Sequence, residues 1–124
     1  MPESLDLEPV AARLRELLER HASGLVPSDA YAGIAGWCAP YNGPDGKPMW
    51  FGGVRTGKRY VSYYLMPVYV FPDLLDGISP ELRRRKQGKS CFNFARVDTP
   101  LFAELEALTA TCIERMRTWR PTPR

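Results

Sequence analysis

Residues 49–66 read MWFGGVRTGKRYVSYYLM. Two runs, 49–55 and 59–66, are rich in aromatic and β-branched residues, which suit a pleated, half-buried surface. Thr56-Gly57-Lys58 separates them. Two such runs around a short glycine-containing turn predict an antiparallel hairpin. Met66-Pro67 closes the second strand, because proline has no N–H to give to the ladder. Alternation along this strand puts Val61, Tyr63 and Leu65 on one face and Tyr60, Ser62, Tyr64 and Met66 on the other. The first set suits a core and the second an open face.

Moving towards the N-terminus, APYNGPDGKP (39–48) carries three prolines and two glycines, with a Pro-Asp-Gly turn signal, and predicts a connecting loop. LVPSDAYAGIAGWC (25–38) is apolar but broken by glycine and proline, and predicts one or two irregular strands. PVAARLRELLERHA (9–22) is an amphipathic helix. Val10, Leu14, Leu17 and Leu18 make the i, i+4, i+7, i+8 stripe, Pro9 sits in the first turn and Ser23-Gly24 stops it.

Moving towards the C-terminus, residues 68–78 predict a short helical or turn segment. Ser79-Pro80-Glu81 then opens a helix, with Ser79 as N-cap, Pro80 in the first turn and an acid at the positive dipole end. Arg83, Arg84, Arg85 and Lys86 fill its last turns, and Gly88 is placed as its stop. SCFNFARV (90–97) predicts another strand, with Ser90, Phe92 and Phe94 on one side and Cys91 and Asn93 on the other. Thr99-Pro100 caps a last helix striped by Leu101, Leu105, Leu108, Cys112 and Met116. Arg115, Arg117 and Arg120 sit near its negative end, and Pro121 stops it. Strands in the middle with helices flanking them predict an α+β fold, an antiparallel sheet with helices packed on one face. The 124 residues form one domain, 1–124, large enough for its own core.

Composition narrows the function. No signal peptide and no membrane span is expected. Cys38, Cys91 and Cys112 are odd in number and have no CxxC spacing, which speaks against a disulfide framework or zinc site and for a reducing cytoplasm. The net charge of +3 is local: residues 82–89 hold five of the 17 Lys/Arg and no acid. Three successive arginines on a helix point in different directions, so nucleic acid is not the expected partner.

Gly88-Lys89-Ser90 ends like a phosphate-cradling loop. Such a loop needs a glycine where Arg83 stands, and a helix after it rather than before it. Gly88 reads better as a helix stop, with Lys89 offsetting the helix's negative end.

GKRYVSYYLMPVY (57–69) and LLDGISPELRRRKQGKSCFNF (74–94) together resemble the YdhG-like family of small bacterial domains. The resemblance covers roughly the C-terminal two-thirds of the chain. It implies a frataxin-like arrangement and a cytoplasmic bacterial protein, with an intracellular iron chaperone as the alternative role. It carries over no catalytic residues.

If the central strands pair, Tyr60, Ser62, Tyr64, Cys91 and Asn93 share one open face, with Trp50 beside them and Gly52 and Gly53 leaving room. This face, with Lys89 near Cys91, is the candidate ligand site. The plain alternative is a solvated sheet face with amphipathic tyrosines.

Iron would need clustered carboxylates. Glu3, Asp6, Glu8, Glu16 and Glu19 are interleaved with arginines, and Asp73, Asp76 and Glu81 lie near Arg83, so neither set is an acidic ridge. No metal site, catalytic residues or resident cofactor is expected. His21 is the one histidine, which leaves a triad or His-based metal site without parts. Cys91, close to Lys89 in sequence, could be a reactive thiolate or simply a small buried apolar residue. The expectation is a non-enzymatic module, monomer or homodimer, binding a small molecule or protein partner.

Overall fold

A computed structural model describes residues 6–28, 34–43 and 46–118. Glu3, Arg120, Pro121 and the Pro44-Asp45 half of the predicted turn lie outside them. The architecture is α+β, as expected. Six strands form one antiparallel sheet: β1 (Val26–Ser28), β2 (Ala35–Asn42), β3 (Pro48–Thr56), β4 (Val61–Leu65), β5 (Lys86–Gln87) and β6 (Cys91–Phe94). Their order across the sheet is β1-β2-β3-β4-β6-β5. The helices are α1 (Glu8–Glu19), α2 (Pro67–Val70), α3 (Pro80–Arg85) and α4 (Thr99–Thr118), with a 3-10 turn at Pro72–Leu75.

Among the described residues, the helices bury their stripes on one side of the sheet. Val10, Leu14, Leu17 and Leu18 of α1 and Leu101, Leu105, Leu108, Cys112 and Met116 of α4 enter the same core. They meet Val61, Tyr63 and Leu65 of β4 and Phe92 and Phe94 of β6, as alternation requires. Phe94 and Phe102 pack edge to face, ring centroids 5.0 Å apart. One polar contact crosses this core, Tyr63 Oη to Thr109 Oγ1 at 2.8 Å.

A bulge in β3 decides which face Trp50 takes. Trp37 is opposite Gly52, and Cys38 is opposite Trp50, so Phe51 is the extra residue. Val54 is opposite Tyr63 and faces the helices. Counting back from Val54 by twos would put Trp50 under the helices as well. The bulge instead sends Phe51 into the main core and Trp50 to the far face, with Ile34, Cys38, Tyr64 and Met66.

The glycines beside the bulge do not open the face as expected. A Cβ on Gly52 would run into the Tyr64 carbonyl, and one on Gly36 into the Gly52 carbonyl. They are glycines because neighbouring backbones approach that closely. Gly53, opposite Tyr64, is itself buried.

Other boundaries shift for clear reasons. Residues 39–42 extend β2, because Tyr41 and Ala39 pack on the core; β3 begins at Pro48, and Gly46 before it stands at φ +80°. The expected stop at Gly88 is not where α3 ends. Only Leu82 of α3 is buried, so nothing apolar holds a further turn. The chain turns extended at Lys86, and Lys86-Gln87 pairs with β6, covering its edge. Gly88 (φ +70°) serves the β5–β6 turn. Ser79 is the N-cap of α3, accepting from Leu82 N–H at 3.1 Å. At α4 the side-chain acceptor is Asp98, which takes the Leu101 N–H at 3.2 Å, rather than Thr99.

Candidate functional site

The face of the sheet away from the helices is built from cross-strand rows. Arg55, Ser62 and Asn93 are register partners across β3, β4 and β6. Gly53, Tyr64, Cys91 and Gln87 form the next row, across β3, β4, β6 and β5. Residues directly opposite in an antiparallel ladder share a face, so both rows look the same way.

Hydrogen bonds join the rows. The Ser62 hydroxyl donates to Asn93 Oδ1 at 2.7 Å, and the Cys91 thiol donates to the same oxygen at 3.2 Å. Asn93 Nδ2 donates to Gln87 Oε1 at 3.0 Å. Two donors on Oδ1 fix which way the amide points. Tyr64 lies against Trp50, centroids 5.8 Å apart and planes tilted by 57°. Ser62 is 4% exposed, whereas Tyr64, Cys91 and Asn93 are half-buried and Gln87 and Arg55 exposed.

Burial raises the Tyr64 phenol above its ordinary range, and the nearby Cys91 adds to this. Burial likewise pushes the Cys91 thiol up. Cys91 is therefore a neutral hydrogen-bond donor at pH 7, and a reactive thiolate is not what this environment favours. Lys89 does not activate it: the Lys89 Nζ sits 5.1 Å from the Tyr69 ring centroid, a cation–π contact.

Of the seven residues singled out from sequence, Ser62, Tyr64, Cys91 and Asn93 form one connected patch and Trp50 joins it through Tyr64. Tyr60 stands outside the β4 ladder, in the turn, where its carbonyl accepts from Gly57 N–H at 2.9 Å. Lys89 stands in the β5–β6 turn. Two patch members escaped the sequence. Gln87 was hidden inside an expected helix. Arg55 was findable, because the hairpin register that pairs Val54 with Tyr63 also pairs Arg55 with Ser62.

A hollow of about 220 Å³ lies elsewhere, between the end of α4 and β2, lined by Leu25, Ala39, Tyr41 and Met116. Another, of about 190 Å³, lies between α1 and α4, lined by Arg13, Arg20, Phe102 and Glu106.

Three of the carboxylates that iron would need, Glu8, Glu16 and Asp73, are engaged with arginines. Glu8 meets Arg15 at 3.0 Å, and Asp73 takes both Arg115 nitrogens, at 2.7 and 3.2 Å. Glu106 takes Arg20 twice, at 3.0 Å each, and His21 at 3.1 Å. The Arg20 hydrogen bond holds Glu106 below the usual carboxylate range, and Arg115 does the same for Asp73. Among the described residues, no three His, Cys, Asp or Glu side chains converge as a metal site, and no helix is long and apolar enough to cross a membrane. Comparison with family models, curated proteins and solved structures found no match to this chain.

Proposed function

We propose that this protein is a non-enzymatic binding or accessory module that takes a small, flat ligand on the helix-free face of its sheet. One observation carries this: Ser62, Cys91, Asn93 and Gln87 form a pre-oriented hydrogen-bonding patch beside the Tyr64–Trp50 ring pair. Groups already fixed in place lose little entropy when a ligand arrives. The half-buried Tyr64 ring, backed by Trp50 at 5% exposure, lies next to fixed amides and suits a planar molecule with polar edges.

Catalysis has less support. The Cys91 thiol is held protonated, and His21 is engaged with Glu106 of α4 rather than with a nucleophile. On the strength of residues 57–69 and 74–94, we also take the chain to be a cytoplasmic bacterial YdhG-like domain with a frataxin-like arrangement. An iron-handling role, the alternative implied by that resemblance, has less support, since Glu8, Glu16 and Asp73 are paired with arginines and the described carboxylates do not converge.

The test is an amide NMR titration of the full chain with a panel of metabolites. A true ligand moves Ser62, Tyr64, Cys91 and Asn93 saturably and raises the melting temperature. Asn93→Ala abolishes both effects while its own unliganded fold, checked by the same spectrum, persists. Shifts confined to other surfaces, or none across the panel, reject the proposal.

A further inference from the structure

The topology gathers positive charge that is scattered along the chain. Residues 46–72 and 82–97 together hold ten Lys/Arg and no Asp or Glu. These two segments supply β3, β4, β6 and β5, four adjacent strands. The rest of the chain keeps 7 Lys/Arg against all 14 acids. The molecule is thus divided into a basic sheet half and an acidic remainder, although its net charge is only +3. The expectation against nucleic acid assumed that the basic excess was confined to residues 82–89. The sheet order places a second cationic group next to that run.

The cations gather at two places around the sheet. Arg55 is in the Arg55–Ser62–Asn93 row. Lys58 and Arg59 lie in the β3–β4 turn, and Arg96 follows β6 beside them, because Phe94 pairs with Val61. Arg84, Arg85 and Lys89 flank the β5 edge. Among the described residues, none of these seven forms an ion pair with a carboxylate. Three arginines at α1 and α4 behave differently: Arg15, Arg20 and Arg115 are matched by acids.

We infer that this face binds single-stranded nucleic acid. The proposal uses the face described above but does not require its ligand to be small. Three features select this partner. Arg55 on β3 and the β5 edge are separated by three inter-strand gaps, about 14 Å, so one phosphate group cannot meet both, whereas a run of nucleotides can. The two hollows named above lie beside α4 rather than on this face, which fits an extended polymer. Half-exposed Tyr64 lies on the face, and exposed Tyr60 stands at its β3–β4 border, offering rings on which unpaired bases stack. A duplex hides its base faces and would use only the borders.

The test is fluorescence anisotropy of the full chain with labelled twelve-nucleotide oligouridine and oligothymidine. Binding is expected to weaken at least about tenfold between about 50 and 200 mM salt. The triple variant Arg55→Gln/Lys58→Gln/Arg59→Gln should lower the salt slope by about 2, at 0.7 per lost contact on a single strand. Tyr60→Ser should weaken binding about fivefold or more. Arg13→Gln/Arg15→Gln on α1 should change nothing.

Equal affinity for a duplex, a heparin fragment or anionic phosphatidylserine vesicles overturns the inference. So does equal loss in the α1 variant, or no binding at the lower salt. If oligonucleotides fail while a small molecule still shifts Ser62 and Asn93, this inference falls and the small-ligand proposal stands.

Discussion

The buried contact between Tyr63 and Thr109 can be dissected by a mutant cycle whose outcome follows from proton directions. Both side chains are fully buried, one on β4 and one on α4. The Thr109 hydroxyl donates to the Leu105 carbonyl at 2.9 Å. A hydroxyl has one proton, so Thr109 must be the acceptor in its 2.8 Å contact with Tyr63. Thr109→Val keeps the shape but strands the Tyr63 donor in an apolar core, at about 1–3 kcal/mol. Tyr63→Phe removes the donor and leaves Thr109 still bonded to Leu105, at about 1 kcal/mol. The double variant replaces both groups with apolar ones and should cost less than Thr109→Val alone, a coupling of about 1 kcal/mol. Urea unfolding at pH 7 reads this directly. With a slope of roughly 1.5 kcal/mol per molar, Thr109→Val should move the midpoint down by about 1 M. Strict additivity in the double variant, or a Thr109→Val cost no larger than that of Tyr63→Phe, would refute the assignment of donor and acceptor.

Four further outcomes are expected. Gly52→Ala should cost at least about 2 kcal/mol and lower soluble yield, because its Cβ meets the Tyr64 carbonyl backbone. Gly77→Ala, where a Cβ meets nothing within 4 Å, should instead raise the urea midpoint slightly, by about 0.5 kcal/mol in stability. Ser79→Ala removes the α3 cap and one of the two 2.6 Å donors to the Glu104 carboxylate, and thermal melts should show a loss of about 1–2 kcal/mol. Stability should also fall in alkali. Burial pushes the Cys112 thiol up to about 12, against about 8.5 in an unfolded chain, and raises the Tyr63 phenol as well. The folded state then keeps protons that the unfolded chain releases, so stability is full below about pH 8.5 and declines as pH rises towards 12. Urea midpoints from pH 7 to 10.5 that stay flat in the parent protein would contradict this.

Much of the fold was written in local pattern. The period-2 alternation of 60–66 and 90–94 and the helical stripes of 9–22 and 99–118 each name a buried face without reference to the rest of the chain. That is why Ser62, Tyr64, Cys91 and Asn93 could be grouped before any strand was seen to pair. What alternation cannot carry is a change of phase. One extra residue at Phe51 inverts the faces on its N-terminal side, and only the register against β2 reveals it.

Tertiary structure also decided which short segments become strands and which charges become neighbours. Lys86-Gln87 has helix-compatible residues, and it is the open edge of β6 that draws it into the sheet. The order β3-β4-β6-β5 brings Arg96 beside Lys58 and Arg59, which are nearly forty residues away in the chain. Propensity and periodicity act over a few residues, so the sequence by itself determines the faces of its elements. Pairing brings distant segments together, so only the folded sheet determines the shape and charge of the surface those faces make.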